Sequence, residues 1–299
     1  MAARRIPARE LFDAAFLDSL ASLRIVTGRV APRGRHAEHR SKDLGGGLEF
    51  RDYRPYAAGD DLRSIDWNIY RRLGRVFLRL FEEMEDLPLY VLPDVSESAW
   101  LEEPPRARAG LRTALALSAI SLNQHDRVGV FPFAEDLRVA VRPRAGKRRV
   151  FQMADELAKL EPGGRTDFQT SLRTFGNLRM REGVVAIISD FFDPAGIDAV
   201  VNAMRRLRHR LILVQLVRPS DARPDLQGDV RLVDCETGVG EDVSITPGVL
   251  DAYRKAYDGF QQSLMKFAQT RGAGLLRLDV EQPVVAQLAA IFEGGRLSV

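Results

Sequence analysis

The chain has one cysteine, Cys235, among its 299 residues, so no disulfide can close within it and a cysteine-rich zinc site is excluded. Histidine is nearly as scarce, with four residues. Two of them, His36 and His39, fall in a polar stretch with no other ligand type nearby, and are expected to be solvent-exposed. No run reaches the roughly 18 uninterrupted apolar residues that a membrane helix needs. The opening MAARRIPARELFDAAFLDSL breaks each apolar run with acids or arginines, which leaves no signal-peptide core. These absences predict a soluble, cytoplasmic protein without a transmembrane segment. Lysine is sparse too: arginine supplies nearly all of the cationic side chains, and the formal net charge is only +3 at a pI near 9.2. Basic residues cluster at Arg63 to Arg79 and Arg138 to Arg149, but neither run is interleaved with stacking aromatics, so no nucleic-acid partner is expected.

What is present is a hydrophobic share of 45%, ordinary for a globular chain able to bury a core. After an amphipathic stretch from about Glu10 to Thr27, Gly28 to Asp43 has no sustained period and reads as a loop. Leu44 to Glu85 is dense in Gly, Arg, Asp and aromatics, with a strand-like run from Arg75 to Phe81. Residues 1–86 are therefore expected to form an N-terminal extension, and 87–299 the main domain. From Leu87 onward short apolar strands alternate with helical patterns. Strands are expected at Leu89 to Leu92, Arg127 to Phe133 with a hairpin partner at Leu137 to Val141, Val184 to Ser189, Leu211 to Val217, Val230 to Asp234 and Gly274 to Leu278. Helices are expected at Arg106 to Leu122, Lys147 to Leu160, Phe168 to Leu178, Pro194 to Arg208, Pro247 to Thr270 and from Pro283. Strands separated by helices of that length need crossover connections, and the fold class that follows is α/β, doubly wound around a mostly parallel sheet.

In such a sheet ligands collect beyond the carboxyl ends of the strands. Three polar clusters stand there or beside it: Asp94-Val-Ser96-Glu-Ser98 after the first strand, Thr166 in the loop Pro162-Gly-Gly-Arg-Thr-Asp167, and Asp190 after Val184 to Ser189. Asp94, Ser96 and Ser98 are spaced i, i+2, i+4, so one loop can turn a carboxylate and two hydroxyls toward a common point. Thr166 adds a hydroxyl and Asp190 a second carboxylate. All are hard oxygen donors, suited to Mg²⁺, with Mn²⁺ or Ca²⁺ as alternatives, and unsuited to zinc or copper. With two carboxylates among neutral hydroxyls, the ion is not overcompensated and can accept an acidic ligand from outside.

In order and context, Asp94-x-Ser96-x-Ser98, Thr166 and Asp190 resemble the metal-ion-dependent adhesion site of von Willebrand factor A domains. Upstream, Gly47-Leu-Glu-Phe-Arg-Asp-Tyr-Arg-Pro-Tyr56 and Gly59-Asp-Asp-Leu-Arg-Ser-Ile-Asp-Trp67 resemble the signature of the bacterial family called domain of unknown function fifty-eight. The resemblance implies a von Willebrand factor A-like domain behind a family-specific segment, and as partner a MoxR-class AAA+ ATPase, with a client protein. The expected function is a metal-dependent protein-interaction module rather than an enzyme. Two residues depart from the common pattern: Pro93 precedes the first aspartate and stiffens the strand end, and Trp100 stands where a smaller residue is usual and is expected to cover the site.

Plainer readings stand beside these. Asp94-Ser96-Ser98 alone can be a helix cap. Gly59 to Trp67 reads as a tight turn with Trp67 buried or as a partner surface, Gly45-Gly-Gly47 lacks the Lys-Ser/Thr of a phosphate loop, and Cys235 is expected in the core. Asp94 is expected in a solvent-accessible loop, where its removal costs little stability. The enzyme alternative is a haloacid dehalogenase-like phosphohydrolase, which also places an aspartate after its first strand and acids such as Asp190 and Asp193 after a later one. That chemistry needs a carboxylate two residues after the nucleophile, where Ser96 stands. No Gly-x-Ser-x-Gly or Cys-His arrangement is legible.

Overall fold

The computed structural model describes residues 6–20, 23, 48–57, 60, 65–83 and 87–293, with no account of side chains at 48–52, 79–83 and 293. By packing, the chain divides into two units, one made of residues 1–32 and 87–299, the other of 33–86.

Ten strands occur among the described residues: β1 Leu48–Pro55, β2 Phe77–Glu83, β3 Leu89–Pro93, β4 Val128–Val130, β5 Val141–Arg144, β6 Val184–Ser189, β7 Arg210–Val217, β8 Gly228–Val233, β9 Gly240–Ile245 and β10 Gly274–Asp279. The larger unit is built on a six-stranded sheet in the order β10-β7-β6-β3-β4-β5, parallel except for the edge strand β5. This is the doubly wound α/β architecture expected from the alternation of strands and helices.

The sheet is apolar on both sides because helices cover both. Side chains alternate between the faces along each strand. On one side Val91, Ala186, Ile188, Ile212 and Val214 join a cluster with helix Arg106–Asn123. On the other Tyr90, Leu92, Val185, Ile187, Leu211 and Leu213 meet the helices Phe168–Asn177 and Ile197–Arg205. Helix Arg106–Asn123 is Ala/Leu-rich and buried almost all round. Its outer side is covered in part by the N-terminal residues: Ile6, Leu11, Phe16, Leu20 and Leu23 belong to its cluster. Arg112 donates to the Leu11 carbonyl at 2.7 Å, pairs with Asp13 and lies 5.1 Å from the Phe16 ring centre. The described N-terminal residues thus pack with the main unit, where sequence periodicity groups all of 1–86 as one extension. An amphipathic helix cannot bury its apolar stripe alone, and its partner lies a hundred residues downstream.

In the smaller unit β1 and β2 form an antiparallel pair with an irregularity between Phe50 and Asp52. Helix Trp67–Leu73 follows Asp66, whose carboxylate accepts from the amides of Asn68 and Ile69, and ends at Gly74 with φ 63°. Trp67 is not buried as a tight turn would have it; it is 59% exposed. Gly59, Arg63, Gly45 to Gly47, His36, His39 and the expected loop from Gly28 to Asp43 lie outside the described residues.

Two strand assignments are corrected. Val230 to Asp234 does not join the main sheet: β8 pairs antiparallel with β9 in a separate two-stranded ribbon. None of its residues from Gly228 to Ile245 is buried, so its alternating pattern reflects a solvent-exposed hairpin. The partner of β4 is Val141–Arg144, a few residues later than expected, with only an isolated bridge from Phe133 to Leu137. Helix Pro247–Arg271 follows the ribbon, opened by Thr246 and Pro247 and closed by Gly272 in the left-handed conformation, as capping preferences dictate.

Candidate metal centre at the strand ends

Strand order reverses around β3 and β6, the switch point at which open α/β sheets bind ligands. Asp94 follows β3 and Asp190 follows β6. The β3 end is fixed by main-chain bonds on both sides: Asp94 N donates to Ile188 O at 2.9 Å and Val95 N to Phe133 O at 2.9 Å. Pro93 has no amide to give but accepts from Phe133 N at 3.0 Å, so it fits the ladder without a vacant donor.

Asp94 is buried, 7% exposed, not in the open loop that its sequence setting implies. Its Oδ1 accepts from Ser96 N at 2.9 Å and its Oδ2 from Ser189 Oγ at 2.6 Å. Ser96 and Ser98 hydroxyls lie 3.1 Å apart. The Thr166 loop is drawn onto the Asp94 loop by Gly163 N to Val95 O at 2.7 Å and Glu97 N to Gly164 O at 2.9 Å. Gly163 makes this approach possible, since a Cβ there would meet the Ala134 side chain at 3.0 Å. Asp167 then caps helix Phe168–Asn177 through Thr170 N.

Asp190 Oδ1 accepts from Phe192 N at 3.0 Å, and its Oδ2 lies 3.6 Å from Arg106 Nε. Phe191, next in sequence, is fully buried with φ 66°, an uncommon backbone state for a bulky residue that turns the chain sharply after Asp190. Ser189 Oγ braces this turn by accepting from Phe191 N at 2.9 Å while donating to Asp94. One hydroxyl therefore ties the two strand ends together.

The electrostatics follow from burial. Desolvation raises the Asp94 carboxyl above the usual carboxylate range, against its hydrogen bonds from Ser189 and Ser96. Burial pushes Asp190 up to about 7; Arg106 opposes this and the charge of Asp94 adds to it. Two carboxylates held close in a poorly solvated place need a proton or a cation between them. Arg106 is not free for that role alone, because it donates to both oxygens of Asp221 and pairs with Glu102 at 3.0 Å.

The five expected residues thus line neighbouring loops at one end of the sheet, and the hydroxyl-rich donor set with uncompensated acid suits a hard divalent cation. Among the described residues no group of three His, Cys, Asp or Glu side chains is arranged to hold a metal; a site of two carboxylates and three hydroxyls does not depend on such a group. Beside Thr166 lies a cleft of about 290 Å³ lined by Glu135, Arg165, Gln169, Asp193 and Pro194 among others. Asp193 is committed to the backbone, accepting from Phe168 N and Ala195 N. Trp100, expected over the site, is buried in the apolar cluster that includes Val95 and Ala107, its indole N–H unpartnered.

Three contributors were not legible as site residues. Ser189 reads as the last residue of an apolar strand, and Arg106 as the first of a helix. The third is Glu236, at the tip of the β8–β9 hairpin: Ser98 Oγ donates to its Oε1 at 2.9 Å, Thr166 Oγ1 to the same oxygen at 3.2 Å, and Thr166 N to Oε2 at 3.2 Å. The usable signal was the turn Asp234-Cys-Glu-Thr-Gly238 between two short alternating runs. Cys235 within it is exposed, not in the core.

The six-stranded, mostly parallel sheet with helices on both faces defines a domain of the doubly wound α/β class, with acids and hydroxyls at its switch point. The chain belongs to the family described as protein of unknown function DUF58, which matches residues 52–263. Among its relatives is the uncharacterized protein Rv1480 of Mycobacterium tuberculosis, 27% identical over 272 residues, 87% of this chain and 84% of that protein. Solved structures with similarity include BatB from Bacteroides thetaiotaomicron (TM-score 0.43, 13% identity, 70% of this chain and 98% of that one). Another is mussel byssus proximal thread matrix protein 1 with a zinc-occupied MIDAS motif (TM-score 0.38, 11% identity, 70% of this chain and 44% of that one). No helix of the described residues is long and apolar enough to cross a membrane.

Proposed function

We propose that the larger unit is a metal-dependent protein-interaction module, in which Asp94, Ser96, Ser98, Thr166 and Asp190 hold one divalent cation, Mg²⁺ before Mn²⁺ or Ca²⁺. The observation that carries this reading is the convergence of two desolvated carboxylates and three hydroxyls at the switch point, with Ser189 fastening the two strand ends. When bound, the cation supplies a positive centre that an acidic side chain of another protein can reach. Asp94 and Asp190 bring the charge, the hydroxyls complete the shell without neutralising it, and the cleft beside Thr166 offers room for the segment that carries the acid.

The partner we propose is a MoxR-class AAA+ ATPase, with a client protein presented to it in the cytoplasm; this follows from the family's resemblance, and a cation that two carboxylates do not overcompensate supports an acidic contact. No catalytic role is assigned. A phosphohydrolase would need its acid two residues after Asp94, where Ser96 stands, and Asp193 is spent on backbone amides. The test measures binding of the full chain to the purified ATPase with Mg²⁺ and with chelator, beside a phosphate-ester screen. The reading expects binding that chelator removes and no turnover. Undiminished binding in chelator would move the contact to another surface, and turnover lost in Asp94→Asn would favour the hydrolase.

A further inference from the structure

We propose that Glu236 is an acidic ligand carried in cis: the β8–β9 hairpin sets its carboxylate where a partner's acid would otherwise reach the cation, so partner binding must displace the hairpin. This rests on the metal reading above and adds a regulator to it.

Three features of the hairpin support the role. The first is aim. Asp234 Oδ1 accepts from the amides of Glu236 and Thr237 at 2.8 and 2.9 Å, which tightens the turn and holds the Glu236 side chain over the Ser98 and Thr166 hydroxyls. Those are two of the five expected donors, from two separate loops, and one oxygen of Glu236 lies within 3.2 Å of both. The second is charge. Of the acids gathered here, Asp190 faces Arg106, whereas neither Asp94 nor Glu236 is paired with a Lys or Arg among the described residues. Glu236 is close enough for its charge to be felt at Asp94. Asp94, Asp190 and Glu236 are not already arranged as a group that holds a metal; Glu236 stands on the Ser98 and Thr166 side, where its charge is repelled in a metal-free site and drawn in once a divalent cation is shared.

The third is release. No residue between Gly228 and Ile245 is buried, and Leu232, Val233 and Val239 are exposed by 44, 59 and 69%. The hairpin therefore has only the half-buried Val230, Val243 and Ile245 to anchor it, and a two-stranded ribbon without a buried face is marginal. The contacts that hold its tip to the site run through the Glu236 carboxylate, so an incoming acid that replaces that carboxylate also removes the tether.

A ligand to the cation and a mere plug on the empty site predict effects of opposite sign when Glu236 is replaced, and this makes the test decisive. The full chain and its Glu236→Gln and Glu236→Ala variants are titrated with Mn²⁺ by calorimetry. Water-proton relaxation then counts the water molecules on the bound ion, and acetate serves as the acidic probe. Thermal melting checks that the variants fold. Both variants are expected to bind Mn²⁺ about tenfold more weakly, since ligand charge sets affinity at such sites, and to carry one more water on the ion. Acetate should displace that water in the variants and leave the wild type unchanged. Equal affinity and hydration in all three proteins, or tighter binding in the variants, would overturn the inference while leaving the metal site standing. Absence of Mn²⁺ binding in all three proteins would overturn both readings together.

Discussion

The two halves of the candidate site are built on opposite principles. Asp94, Ser189 and Asp190 sit on strand ends of a sheet covered on both faces, their carboxylates fixed by backbone amides and by each other's neighbours. Glu236 reaches the same place from a hairpin with no buried residue. The buried half can hold a fixed geometry at the cost of desolvating two acids; the exposed half costs little to move. A site intended to exchange one acid for another needs both, a rigid cradle and a replaceable ligand.

The comparison breaks most sharply at Asp94. Because Asp94 is buried and accepts two hydrogen bonds, Asn is the cleaner replacement: it removes the charge and keeps an acceptor toward Ser96 N, while its amide NH2 takes the place of the oxygen that accepts from Ser189 Oγ. Asp94→Asn should weaken Mg²⁺ binding more than about a hundredfold, which corresponds to roughly 3 kcal/mol or more, with the melting temperature unchanged or raised. Calorimetry with a thermal melt on the same samples checks it. Retained affinity would remove Asp94 from the site.

Asp190 sharpens the same half through pH. Its carboxyl is raised from 3.8 to about 7, so in the metal-free protein the folded state keeps a proton that the unfolded chain has lost. Stability should therefore fall as pH rises from about 4 to about 7, with this group's share on the order of 2 kcal/mol, since each pKa unit is worth about 1.4 kcal/mol and the side chain is partly solvated. For a domain of this size that is about 4–8 °C in melting temperature. Comparing wild type with Asp190→Asn across that window shows the difference: the variant should lose this share of the slope and keep the share that the raised Asp94 carboxyl contributes. An identical pH profile in the two proteins would show that Asp190 is not desolvated.

Ser189 is the joint between the strand ends. Ser189→Ala removes the donor to Asp94 and the acceptor for Phe191 N, and should lower metal affinity about tenfold, as for the outer partners of metal ligands generally. An unchanged affinity would mean that Asp94 is oriented by Ser96 alone. The smallest effect concerns the hairpin. Cys235 is exposed, so a thiol reagent should label the native protein without denaturant and without shifting its melting temperature; protection of the thiol would place the hairpin tip in a buried setting.

Much of this was legible before any coordinates. Parallel strands carry near-continuous apolar runs and alternate with helices, so the positions of β3, β6, β7 and β10 and of the helices between them follow from periodicity alone. Asp94, Ser96, Ser98 and Asp190 stand out as polar residues because they follow the ends of β3 and β6, and Thr166 because its Gly-rich loop opens a helix. The hairpin departs from expectation because Val230, Leu232 and Val233 look like another sheet strand, and exposure is invisible to a pattern of residue types. Ser189 was hidden for the converse reason: its neighbours Ile187 and Ile188 mark it as core, and its role depends on the left-handed turn at Phe191, which no local rule assigns to phenylalanine. Glu236 lies 138 residues from Ser98 and 70 from Thr166, a distance that only the folded topology closes.

Crystals of the full chain soaked in Mn²⁺ and measured at the manganese edge test the central claim most directly. The account predicts one anomalous peak bounded by Asp94, Ser96, Ser98, Thr166 and Asp190. Water or no feature among those side chains, with the metal elsewhere or absent, would contradict it.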